Sequence, residues 1–350
     1  FRPAMIISAI VIVAYTTLGG FLAASTTDFI QSIIMSVALI VVLIFGVETA
    51  GGIGAVIHNA SELPGYLSMT LSYDVNTGKA APYSALTIVS TAAWGLGYFG
   101  MPHILLRFMA IEDEKKLKLS RRVATIWVVI SLFVAVFIGV IGYTMSKVGA
   151  LEMLTGSNSE TIIVKISALL SQHGVIFALL AGVILAGILA STMSTSDSQL
   201  LAASSAVSSD ILGAFRKDSS NKNGSMAAAR ITLLVISVVA AFIARNPDSS
   251  VFAIVSFAWA GFGAAFGPVV LFSLFWKRTN KWGALAGMVC GGSMVFIWKY
   301  LIRPLGGIWN IYELLPAFLI ACAAIVIVSL LTPKPSKEIE EEFDRVAQMK

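Results

Sequence analysis

Long apolar runs alternate with short polar ones along the whole chain. A bilayer core is roughly 30 Å thick, so a crossing helix needs about 20 mostly apolar residues. Nine stretches meet that length: 4–24, 28–47, 84–104, 123–146, 174–208, 227–245, 251–276, 283–302 and 312–332. The pattern predicts an all-α membrane protein with about nine transmembrane helices, residues 1–332 forming one transmembrane domain and 333–350 a short charged tail. Two of the nine stretches depart from a plain apolar helix, and they carry the functional argument.

The first is "AAWGLGYFGMPHILLRFM", residues 92–109. Gly95, Gly97, Gly100 and Pro102 crowd one span. Proline removes a helix donor and clashes with the preceding turn, and glycine lowers the cost of unwinding. A broken helix is tolerated in lipid where its freed backbone lines a cavity or is satisfied by protein. Secondary transporters use such breaks to bind cations on carbonyls and carboxylates on half-helix N-termini. Trp94 and Tyr98 flank the break four residues apart, hence on one face. A simple proline kink with packing aromatics is the plainer alternative.

The second is "ILASTMSTSDSQLL", residues 188–201. Ser191, Ser194 or Thr195, and Ser198 follow the i, i+3/i+4, i+7 spacing of one helix stripe, with Asp197 beside them. Hydroxyl and carboxylate oxygens are hard ligands suited to small hard cations. Serine and threonine also mediate helix packing in membranes. An ionisable group inside a span is a functional-site hypothesis by default. Asp28, at the junction of the first two spans, is the other such group. Its spacing favours capping of the second helix by Thr26, Thr27 or Asp28. His58 and His173 fall in expected external loops, and His103 follows the proline.

Composition sharpens the class. The chain is 57% hydrophobic and 12% charged, with a mean hydropathy of +0.87; a soluble domain carries about 25% charged residues. The net charge is +5, and the basic residues cluster in loops 105–122, 209–226 and 277–282, with Lys334, Lys337, Arg345 and Lys350 in the tail. The positive-inside rule puts those segments and the C-terminus in the cytoplasm of a plasma-membrane protein, and the basic balance reads as membrane orientation and not as nucleic-acid binding. Cys290 and Cys322 suggest neither disulfide nor metal cluster. The chain opens "FRPAMIISAI", without Met and already in an apolar run, and further helices are expected upstream. There is no His/Cys cluster, no HExxH and no repeated pore loop. The short tail leaves no room for a signalling domain. Enzyme, channel and sensor classes therefore fall behind a transporter.

Five blocks together look familiar: 14–31, 94–110, 193–206, 256–288 and "NIYELLPAF" at the start of the last span. On these the chain resembles the sodium:solute symporter family, and within it the bacterial sodium/proline symporters. The resemblance implies a LeuT-type inverted-repeat core, incomplete here, with core helices four to ten followed by two additional helices. It implies Na⁺-coupled import of L-proline by alternating access, Na⁺ as the co-transported ion, no organic cofactor and a monomeric functional unit in membrane lipid. Another sodium- or proton-coupled small solute, such as a different amino acid or a carboxylate, is the alternative. By the same resemblance the Ser191 carbonyl and the Ser194 and Thr195 hydroxyls hold the principal Na⁺. Asp28, Asp197 and Ser198 match a second Na⁺ site of some family members; that site has a hydroxyl where Asp197 stands, some related sequences share the carboxylate, and ion binding and structural pairing are both open to it. Trp94, Tyr98 and Pro102 match positions tied to substrate: Tyr98 as a contact, Trp94 as a shield, Pro102 as the bend.

Overall fold

A computed structural model describes residues 2–215, 222–244 and 250–348. Arg216, Lys217 and Lys350, counted above among the basic loop and tail residues, lie outside the described residues. The helices in chain order are α1 (Arg2–Thr49), α2 (Ile53–Ser61), α3 (Ala85–Ala92), α4 (Pro102–Met109), α5 (Leu117–Lys147), α6 (Ile162–Leu170), α7 (Val175–Ser205), α8 (Leu212–Phe215), α9 (Lys222–Ile243), α10 (Val251–Phe275), α11 (Lys281–Ile297), α12 (Leu314–Leu331) and α13 (Lys337–Gln348). One small hairpin, β1 (Leu71–Asp74) with β2 (Lys79–Pro82), interrupts them.

Among the described residues seven helices are long and apolar enough to cross a membrane. The first of these, Met5–Thr49, covers two of the nine expected spans. At 1.5 Å per residue a straight helix of 48 residues would run about 72 Å, more than twice a bilayer core. The backbone leaves helical space at Gly20, with φ 60° and ψ −157°, so α1 is two helical pieces. Glycine alone takes that φ without a Cβ clash. The junction therefore lies at Gly20 and not at 25–27. Thr26 and Thr27 bond back to the Leu22 and Ala23 carbonyls at 2.9 and 3.0 Å, as residues inside a helix do. The capping expectation for Asp28 fails: it sits well within the second piece.

The span expected at 84–104 is missing from the seven because it is broken. α3 tightens into a 3₁₀ stretch over Ala93–Gly100, Met101 is extended, and α4 restarts at Pro102. Pro102 occupies the first helical position, where its absent N–H costs nothing. Its ring acts on the residue before it, driving Met101 out of the helical region (φ −82°, ψ 111°).

The chain divides into two compact units. The first comprises 1–68, 72–80 and 111–249. Here α1 packs along α7 and α5 over a core of Val42, Val56, Ile138, Ile141, Met145, Ile166, Leu170 and Ile184. Close approach is set by small residues, as membrane helix packing requires. A Cβ added at Gly187 would meet the Ala38 Cβ at 2.7 Å. The second unit comprises 69–71, 81–110 and 250–350. In it α10, α11 and α12 pack together, and the 3₁₀ stretch lies on α10. Its core is Ala260, Ala264, Val295, Leu314, Ala317 and Phe318. The tail carries α13, whose Asp344 pairs with Lys277 at 2.5 Å.

Candidate functional site

In the first unit the hydroxyl stripe lies on a regular stretch of α7. Ser194 Oγ and Thr195 Oγ1 both donate to the Ser191 carbonyl, at 3.1 and 3.3 Å. Three oxygens expected to bind a cation are thus gathered within one helical turn. Ser191 and Thr195 are exposed and Ser194 is half-buried. Hydroxyls on a helix reach the i−3 and i−4 carbonyls by default. Rotating those protons away turns the same trio into an all-acceptor cradle, without moving a heavy atom.

Asp197, one turn further, is fully buried. Tyr15 of α1 donates its phenol proton to Asp197 Oδ2 at 2.8 Å, and the Met193 carbonyl lies 3.4 Å from the same phenol. Ser198 Oγ is shared between Asp197 Oδ1 at 3.3 Å and the Ser194 carbonyl at 3.0 Å. Asp28 and Gln31 are each 9% exposed and stand three residues apart on one face of α1. The structure thus joins Asp197 to Ser198 and to Tyr15, while Asp28 lies on α1 thirteen residues beyond Tyr15. Sequence reasoning missed Tyr15. Its signal was the polar run Tyr15-Thr16-Thr17 inside an apolar span.

In the second unit the broken span carries Trp94 and Tyr98. The Trp94 indole lies nearly parallel to three rings: Phe252 at 5.7 Å, Trp259 at 5.4 Å and Tyr312 at 6.0 Å between centroids. Tyr98 meets Trp259 edge-on at 4.8 Å and is 47% exposed. Trp259 Nε1 donates to the Trp94 carbonyl at 2.9 Å, satisfying a backbone group in the broken stretch. Two of the glycines serve close approach more than flexibility. A Cβ at Gly97 would fall 1.9 Å from Trp259 Nε1, and one at Gly100 would fall 2.4 Å from the Phe262 carbonyl oxygen. Trp94 and Tyr98 are therefore brought together by a third aromatic that the one-face argument did not supply. Pro102 begins α4 below them.

Comparison with known proteins identifies the group. The profile of the sodium:solute symporter family matches residues 1–291. The chain belongs to the sodium:solute symporter family.

The chain is 37% identical over 337 residues to the osmoregulated proline transporter OpuE of Bacillus subtilis, covering 96% of itself and 65% of that protein. It is 39% identical over 336 residues to the high-affinity proline transporter PutP of the same organism, covering 95% of itself and 66% of that protein. It is 39% identical over 351 residues to a sodium/proline symporter of Haemophilus influenzae, covering 99% of itself and 67% of that protein. The chain thus spans about two thirds of the length of these curated relatives. A solved structure of a Na⁺-coupled sialic acid symporter, in a substrate-bound outward-open state, matches with a TM-score of 0.73 at 17% identity. That match covers 96% of this chain and 68% of the other. It shows the fold: all-helical and LeuT-like, in a multi-pass membrane protein.

Proposed function

We propose that this symporter couples the inward movement of Na⁺ to uptake of L-proline by alternating access. The observation that carries the ion assignment is the oxygen trio on α7, with Ser194 and Thr195 hydroxyls 3.1 and 3.3 Å from the Ser191 carbonyl. Proline as substrate is supported by the relatives above, which are proline transporters. The pocket chemistry agrees. Proline is a zwitterion with a small apolar ring; its carboxylate suits a helix N-terminus such as that of α4, and its ring suits an aromatic wall. Trp94 and Tyr98 are taken as that wall and Pro102 as the residue that sets the break.

Asp28, Asp197 and Ser198 are taken as a second cation site. Tyr15 belongs to it, because its phenol already occupies one Asp197 oxygen. Ion and substrate binding are reciprocally coupled, typically by about 1–3 kcal/mol. Each charge crossing 100 mV yields about 2.3 kcal/mol to drive import. Sodium is cargo, no organic cofactor enters, and no bond is made or broken. One chain in the plasma membrane, with its C-terminus in the cytoplasm, is the functional unit.

The test is uptake of labelled proline by proteoliposomes of the full-length transporter, with and without an inward Na⁺ gradient. Counterflow with a panel of amino acids and carboxylates accompanies it. Proline accumulation that follows the Na⁺ gradient is expected. Uptake indifferent to Na⁺ overturns the coupling, and counterflow for another solute alone overturns the substrate.

A further inference from the structure

The second unit holds a buried carboxylate, paired with two partly exposed cations, that the transport reading does not use. Glu313, at the N-cap of α12, is 1% exposed. Its Oε2 accepts from Arg303 Nη1 at 2.8 Å, and its Oε1 faces Lys299 Nζ at 3.9 Å. Arg303 Nε also donates to Asn310 Oδ1 at 3.1 Å. Lys299 Nζ sits 3.8 Å from the centre of the Phe257 ring on α10. A buried ion cluster is weak evidence for net stability, since desolvation opposes the attraction. The pairing does fix position: the Glu313 carboxylate is itself buried, and withdrawing it from Arg303 and Lys299 is disfavoured, so the segment bearing Glu313 has one preferred place to be.

The residue next to it in the chain is Tyr312. Its backbone N–H donates to Ser90 Oγ of α3 at 2.7 Å, and its hydroxyl donates to the Ser256 carbonyl of α10 at 2.6 Å. Its ring lies 16° from parallel with Trp94. Tyr312 therefore touches the helix before the break, the broken stretch itself and the helix it lies on. Glu313 is anchored one peptide away.

We propose that Tyr312 sets substrate affinity by fixing the orientation of Trp94, and that Glu313, held by Arg303 and Lys299, is the positioning residue for Tyr312. The proposal rests on Trp94 meeting the substrate, as read above. Stacked aromatic pairs prefer offset geometry at 4.5–7 Å between centroids. Trp94 has three such neighbours. Phe252 and Trp259 lie on α10 itself, whereas Tyr312 comes from outside it and needs an anchor. The charge cluster supplies that anchor, and so couples the start of the last membrane helix to the pocket.

The experiment uses the full-length transporter in proteoliposomes and measures the half-saturating proline concentration separately from the maximal rate per transporter. Tyr312→Leu is expected to raise the half-saturating concentration by about fivefold, the loss of one stacked pair. Tyr312→Phe keeps the ring and is expected to change it less. Glu313→Gln is expected to shift it in the same direction, and to add nothing once Tyr312 is leucine. Tyr312→Leu is also expected to admit the six-membered-ring analogue of proline in counterflow. If Trp94→Phe raises the half-saturating concentration while Tyr312→Leu leaves it at the parent value, the inference is wrong and the pocket reading stands. If Trp94→Phe itself changes nothing, the pocket reading fails and takes the inference with it. A fall in maximal rate alone would make Tyr312 a structural residue and also overturn the proposal. Should Tyr312→Leu not reach the membrane, Glu313→Gln carries the same comparison, with Tyr312→Phe as the ring-retaining control.

Discussion

At the residue scale, the stripe Ser191, Ser194, Thr195 and Ser198 was readable from spacing, because a helix places i, i+3, i+4 and i+7 on one face whatever surrounds it. The geometry that follows is local, and the sequence therefore contained it. We expect Ser194→Ala and Thr195→Ala each to raise the Na⁺ concentration for half-maximal proline uptake, with membrane levels unchanged by immunoblot. Unaltered sodium dependence in both would remove the ion assignment. Asp197 is a different case. Its main partner, Tyr15, lies 182 residues away in the chain, so no spacing rule reaches it. Tyr15→Phe deletes one donor to a buried carboxylate, and we expect a loss of about 1 kcal/mol in unfolding stability. Asp197→Asn keeps an acceptor for Tyr15 but removes the charge. A second cation site thus predicts that Asn weakens sodium dependence more than Phe at position 15 does; equal effects would assign Asp197 to holding α1 on α7.

At the element scale, the break at 92–109 was foreseen from its glycines and proline, but their division of labour was not. Gly97 and Gly100 are where α10 comes closest, and Pro102 acts by holding Met101 extended. Gly97→Ala forces a Cβ into Trp259 and displaces its bond to the Trp94 carbonyl. We expect that overpacking to cost about 1–3 kcal/mol, visible as a lower melting temperature of the purified protein. Gly95→Ala meets nothing within 4 Å and serves as the control; equal destabilisation by both would refute the packing argument. The kink of α1 shows the opposite error. Polar residues at 25–28 looked like a helix boundary, yet they lie in continuous helix, their hydroxyls satisfied by the preceding turn. A glycine pair five residues earlier, embedded in apolar sequence, makes the bend instead.

On the scale of the whole molecule, the loops of the first unit are pinned by exposed ion pairs between distant segments. Lys147, at the end of α5, pairs with Glu62, just past the end of α2, and His58 lies 3.3 Å from the same carboxylate. The lysine beside Glu62 holds that carboxyl below its ordinary value of 4.5, and Glu62 raises Lys147 above 10.5. Lys165 does the same to Glu152. A lowered carboxylate stabilises the fold above its unfolded pKa and loses that contribution as the pH falls through the folded value. The raised lysine contributes below 10.5 and loses it above. The pair therefore acts across the neutral range and fades on acidification below about pH 4.5. We expect Glu62→Gln to lower the melting temperature at neutral pH, the difference narrowing as the pH falls below 4.5 and through the lowered folded value, and shrinking in high salt. A difference that does not narrow at all on acidification or in high salt would mean that Glu62 acts through packing.

What the sequence by itself determined is what hydrocarbon and helical period dictate: the all-helical membrane class, the approximate spans, the break within 92–109, and the hydroxyl stripe on one face of α7. Backbone groups in lipid must be satisfied locally, which makes such features legible in a linear string. What only the tertiary structure decided are the pairings between remote segments: Tyr15 with Asp197, Trp259 with Trp94 and Tyr98, and Tyr312 with Ser90 and Ser256. These depend on which side chains meet across packed helices. The closeness of approach that allows them is set by glycines whose role appears only when the neighbouring helix is in place.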